Sequence, residues 1–155
     1  MISISDKKET QRRAVAEGKI TMTPEVLRMV RTGRVPKGDV LKTAEIAALL
    51  AVKQTPLMIP HCHPVRITEG SVRFQFDTDG ITATCEIGGR DRTGFEMEAL
   101  HGVVVALLTV YDMCKGFGYA LEIGTIRLIG KSGGKHIFPA DGLPGGRIQG
   151  RNERR

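Results

Sequence analysis

The stretch FEMEALHGVVVALLTVYDMCK, residues 95–115, decides how the rest of the chain is read. Leu100, Val103, Val104, Val105, Leu107, Leu108, Val110 and Tyr111 make it apolar nearly all round. A short β-branched run would suit a strand, but more than about twelve residues without a breaker favour a helix. A helix without a polar face is buried on every side, so one side is expected against this chain's own core and another against a second subunit.

Immediately upstream, Val65 and Ile67 alternate, followed by Val72, Phe74 and Phe76, and then, after Asp79-Gly80, by Ile81, Ala83, Cys85 and Ile87. Period two on both sides of an Asp-Gly turn predicts a β-hairpin, which Gly88-Gly89 is expected to end. Downstream, Leu121, Ile123, Ile126 and Leu128 predict a last strand, with a glycine-rich loop from Gly130. Farther upstream, Thr23-Pro24-Glu25 starts a helix with the threonine as N-cap, and Gly33 stops it. Asp39 caps a second helix, whose small-residue stripe is Val40, Ala44, Ala47, Ala48 and Ala51, with Lys53 at its C-terminal end. The segment TPLMIPHCHPV that follows holds Pro56, Pro60 and Pro64 and is not expected to be a regular helix. Residues 1–22 are polar and charged, and read as a short helix or an ordered arm opening near Thr10, Arg12 and Arg13. Helix, helix, strand, strand, helix, strand points to a ferredoxin-like α+β sandwich, an antiparallel sheet covered by helices.

A chain of 155 residues suits one domain, here residues 1–140, followed by a basic and flexible tail, 141–155. The net charge is +6, but Arg127–Arg155 carries seven basic and two acidic residues, so the remainder is nearly neutral. A composition of 41% hydrophobic and 26% charged residues excludes disorder. No unbroken apolar run reaches about 18 residues, and MISISDKKETQRR has no apolar core of a signal peptide, so neither membrane nor export is expected. Cys62, Cys85 and Cys114 are odd in number and widely spaced, which argues against a disulfide framework and for a reducing, cytoplasmic setting. With no Trp, two Tyr and five Phe, stacking platforms for single-stranded nucleic acid are scarce.

Five groups carry candidate chemistry. Thr93-x-x-Glu96 fits a capping box, a role that leaves Glu98 unexplained. Asp112 and Lys115 lie i, i+3 on one helix; on a solvated face such a pair contributes only a few tenths of a kcal/mol. Here it closes a long apolar run, a setting where perturbed groups tend to be functional. His61 and His63 face the same way if extended, a metal half-site lacking an evident third ligand, so no metal is expected. Gly130-Lys131-Ser132-Gly133-Gly134-Lys135 is one residue short of a P-loop and reads either as an anion nest or as a linker. Finally, Arg12, Lys37, Lys53, Lys115 and Lys131 fall at element ends beside the acids, a set suited to a polyphosphate substrate and proton transfers.

SDKKETQRRA, KGDVL, the AxK-to-IPxCHP segment, TGFEMEAL, TVYDMCK and IRLxxKSGGK, in that order over roughly residues 5–135, resemble the cyclic pyranopterin monophosphate synthases, the MoaC family of molybdenum-cofactor biosynthesis. The resemblance implies conversion of 3',8-cyclo-7,8-dihydro-GTP into cyclic pyranopterin monophosphate with release of pyrophosphate. It implies Asp112 as the catalytic aspartate with Lys115 beside it and Lys37 in proton transfer. His61, Cys62 and His63 match one substrate-binding segment, with His63 the matching histidine. Met97 and Glu98 match a second, preceded by Glu96, while Arg12, Lys53 and Lys131 match basic positions suited to phosphates. No cofactor is implied beyond Mg²⁺ accompanying the pyrophosphate. The family's hexamer, a trimer of dimers with sites between subunits, is implied as well. His61, His101, His136 and Phe95 depart from the residues usual in the family.

Spacing alone supports shared sites. On one helix, Glu98 and Asp112 are about 21 Å apart at about 1.5 Å per residue, too far for one small pocket. The rival expectation is a non-enzymatic ferredoxin-like module binding nucleic acid through the basic tail, and a metal-dependent hydrolase comes third.

Overall fold

A computed structural model describes residues 1–118 and 120–134. The chain runs β1 (Thr10–Thr21), α1 (Pro24–Arg31), α2 (Val40–Met58), β2 (Ile67–Phe76), β3 (Gly80–Asp91), α3 (Glu96–Cys114), a single 3₁₀ turn (Lys115–Phe117) and β4 (Glu122–Ser132). The four strands form one sheet in the order β2-β3-β1-β4, antiparallel throughout. Helices α2 and α3 pack against each other and against the sheet, which is the ferredoxin-like α+β arrangement. The expected tail 141–155, the 140 boundary, Lys135 and His136 lie outside the described residues.

The central strand β1 stands where the sequence suggested a helix or an arm. It pairs with β3 along its whole length, Thr10 opposite Asp91 to Thr21 opposite Gly80, and with β4 on its other side. Its inward positions, Ala14, Ala16, Gly18 and Ile20, alternate, but three are too small to give a strong hydropathy signal. Small size is what the packing requires. A Cβ on Gly18 would lie 2.9 Å from Val103 Cγ1 and 3.0 Å from Leu107 Cδ1, so α3 rests directly on this strand. Charged side chains on the strand pair with neighbouring strands: Arg13 with Glu86 of β3 and Glu17 with Arg127 of β4.

Other expectations shift in detail. Both early caps are present: the Thr23 hydroxyl accepts from Val26 N at 3.4 Å and the Asp39 carboxylate from Lys42 N at 3.0 Å. Helix α2, however, continues through Pro56 to Met58. Proline has no N–H to offer the Val52 carbonyl, and the Thr55 hydroxyl takes that carbonyl instead, at 3.0 Å. The hairpin also outruns its expected end, since β3 passes through Gly88-Gly89 to Asp91. There glycine serves close approach: a Cβ on Gly89 would meet the Arg66 carbonyl at 2.4 Å and the Phe95 ring at 2.9 Å. Gly130, Lys131 and Ser132 belong to β4 and not to a loop or an anion nest; the turn begins at Gly133, with φ +83°.

Helix α3 is long and apolar enough to cross a bilayer by length and composition. Here it is the core helix: Ala99, Val103, Ala106, Leu107 and Val110 are all fully buried. Its other side is not. Val104, Leu108 and Tyr111 are exposed, as are Ile46, Leu50, Leu57 and Met58 on α2.

Candidate active site

Two groups of the candidate side chains form at opposite ends of α3. At its C-terminal end, Asp112 sits between two lysines. One carboxylate oxygen accepts from Lys115 Nζ at 2.6 Å, and the other from Lys37 Nζ at 2.8 Å. Lys37 arrives from the loop between α1 and α2, where Gly38 at φ +105° turns the chain, and it also donates to the Asp112 carbonyl at 2.8 Å. Cations suit this place, because a helix C-terminus carries partial negative charge. The Lys115 and Lys37 ammonium groups hold the Asp112 carboxyl down to about 2, while Asp112 raises the pKa of Lys115. The three residues expected to be catalytic are therefore in direct contact, though all are exposed to solvent.

At the N-terminal end, β1, β3 and β4 converge beneath the first turn of α3. Strand register places Arg12 opposite Gly89, Ala14 opposite Lys131 and Arg13 opposite Ser132. Glu96 accepts from Lys131 Nζ at 3.1 Å. The capping box expected for Glu96 does not form: Phe95 is the N-cap, without a side-chain cap bond, and Glu96 is the first helical residue. Arg12 Nε donates to the Asp91 carbonyl at 3.0 Å. Arg12, Arg13, Glu96, Lys131 and Ser132 line a small polar cavity of about 90 Å³. Arg13 and Asp91 are not among the site residues expected from sequence; adjacency to Arg12 was the available signal for the first.

Glu98, two residues beyond Glu96 in the same first turn, is 1% exposed. Its Oε1 accepts from the Cys62 thiol at 3.5 Å, and Oε2 is buried with no hydrogen-bond partner among the described residues. Burial pushes the Glu98 carboxyl upward. Burial, reinforced by the neighbouring carboxylate, raises the Cys62 thiol to about 11. Cys62 and His63 are half-buried, whereas His61, Lys53 and Met97 are exposed. Lys53 lies on α2, which runs antiparallel to α3, two residues before the Thr55 hydroxyl that meets His101 Nδ1 at 3.1 Å. Among the described residues, no three His, Cys, Asp or Glu side chains gather in a way that would hold a metal ion.

Glu96 and Cys114 bound one continuous 19-residue helix, so the acidic residues Glu98 and Asp112 are about 21 Å apart along its axis at about 1.5 Å per residue. Lys37, Asp112 and Lys115 gather at one end, and Arg12, Lys131, Glu96 and Glu98 at the other.

A family model described as the MoaC family matches residues 1–134. A probable cyclic pyranopterin monophosphate synthase of Pyrococcus abyssi is 50% identical over 115 residues, 74% of this chain and 72% of the relative. Cyclic pyranopterin monophosphate synthases of Roseiflexus sp. (strain RS-1) and Clostridium perfringens are 46% and 44% identical, each over 87% of both chains. With such matches across most of the described fold, the chain belongs to the MoaC family.

Proposed function

We propose that this chain is a cyclic pyranopterin monophosphate synthase of molybdenum cofactor biosynthesis, converting 3',8-cyclo-7,8-dihydro-GTP into cyclic pyranopterin monophosphate and releasing pyrophosphate. The Lys37–Asp112–Lys115 contact carries this reading, because opening one ring, rebuilding a pterin and displacing pyrophosphate all require positioned proton donors beside fixed charge. Asp112 enters ionised. Lys115, its pKa raised by that carboxylate, enters as an ammonium and acts first as an acid. Lys37 bonds the second oxygen of Asp112 and shares the proton transfers.

Arg12, Lys53 and Lys131 supply cations for the phosphates, and His61, Cys62, His63, Glu96, Met97 and Glu98 shape the site for the base. No cofactor is required in this reading, and any Mg²⁺ enters with the pyrophosphate. The two ends of α3 are joined by assembly: the Asp112 end of one subunit completes the Glu98 end of another, within a cytoplasmic homohexamer built as a trimer of dimers. The exposed apolar side chains of α2 and α3 supply a surface for such contacts. The test is to supply the cyclised GTP intermediate and look for cyclic pyranopterin and pyrophosphate. Both should accumulate, and absence of both from a folded oligomer would overturn the assignment.

A further inference from the structure

Of all the charged side chains among the described residues, only Glu98 is buried. A buried carboxyl with one oxygen unmet is costly, so its one side-chain hydrogen bond among the described residues is informative. That contact is the thiol of Cys62, 3.5 Å from Oε1. Cys62 is also the middle residue of the His61–His63 loop. Its N–H donates to the Ile59 carbonyl at 3.0 Å, and its sulfur lies 3.7 Å from the carbonyl oxygen of His63. The same thiol thus touches the backbone of the histidine and the first turn of the core helix. Among the described residues no other side chain bonds Glu98: its own backbone N–H favours the charged form, the Asp91 and Glu96 carboxylates nearby repel its charge, and Lys131 is engaged with Glu96.

We propose that Cys62 and Glu98 form a thiol–carboxyl latch that sets the position of His63 on the core helix, which makes Glu98 a positioning residue for that segment. The inference deepens the synthase reading and rests on it for the role of His63, but the latch itself is testable without substrate. Cys85 and Cys114 are fully buried and Cys62 is only half-buried, so Cys62 is the thiol an alkylating reagent reaches first.

In the full-length protein, iodoacetamide labelling at Cys62 at pH 9, located by mass spectrometry, should be slow. Glu98→Gln removes the carboxylate charge and frees the thiolate. The labelling rate should rise severalfold, each unit of thiol pKa lost being worth up to about tenfold in thiolate. An unchanged rate would overturn the latch whether or not the enzyme turns over. With substrate, Cys62→Val should raise KM by about tenfold or more with a smaller change in kcat, and Cys62→Ser, which restores a donor, should recover most of that loss. A Cys62→Val enzyme with the KM of the parent, or a serine variant no better than valine, would sink the positioning role. A parent protein that makes no pterin would defeat the synthase reading, leaving the labelling result to decide the latch.

Discussion

Asp112 shows how much a single residue's charge depends on its two partners. Its pKa is lowered from 3.8 to about 2 by Lys115 and Lys37, so it stabilises the fold above its ordinary value and ceases to do so as pH falls through about 2. The melting temperature of the parent should therefore exceed that of Asp112→Asn near neutral pH, and the gap should close between about pH 4 and pH 2. Because the triad is exposed, the gap should be small and shrink further in salt. The catalytic effect is of another order: Asp112→Asn should lower kcat/KM by about 100-fold or more, as expected when a proton-transfer group loses its fixed charge. Lys131→Met tests the phosphate role. It leaves Glu96 without its ion pair and should raise KM for the triphosphate substrate while the fold persists; full activity would remove Lys131 from the site. Residue types at this site were readable because TVYDMCK and TGFEMEAL carry them. That Glu96 meets Lys131, and Glu98 meets Cys62, was not, since these pairs are 35 and 36 residues apart in sequence.

Elements follow local rules where the side chains speak strongly, and tertiary contacts where they do not. Helix α3 and the hairpin announced themselves by long apolar runs and clean alternation. Strand β1 did not, because close packing under α3 demanded alanine and glycine. Gly102 makes the same point on the helix side: a Cβ there would lie 2.6 Å from Cys85 Sγ and 2.9 Å from Val52 Cγ2. Alanine is the better helix former by about 0.8–1.0 kcal/mol. Overpacking a rigid core costs about 1–3 kcal/mol, so the packing penalty should win. Gly102→Ala should therefore lower the urea midpoint. Thr55→Val isolates the proline turn of α2. It preserves shape but strips the hydroxyl from the Val52 and Ala51 carbonyls and from His101, and should cost about 1–3 kcal/mol by denaturant unfolding.

At the scale of the molecule, the separation of Glu98 and Asp112 is the governing fact. If each site takes one end of α3 from each of two subunits, Asp112→Ala and Glu98→Ala proteins are separately inactive. Mixed after subunit exchange, they should recover roughly one quarter of the parent's activity, the share of sites that receive both intact ends in a two-fold pair. Failure to recover any, with exchange confirmed, would place each site within one chain. The amino-acid order by itself determined the family, the sandwich class, the caps of the first two helices, the hairpin and the residue types of the site, because these rest on local periodicity and on contiguous motifs. Only the tertiary structure decided that residues 10–21 are the central strand, that α2 passes through Pro56, that Lys131 stands on a strand facing Glu96, and that Cys62 closes over a buried Glu98. Each of those depends on how closely two distant segments approach, a quantity fixed by packing and strand register and written in no single stretch of chain.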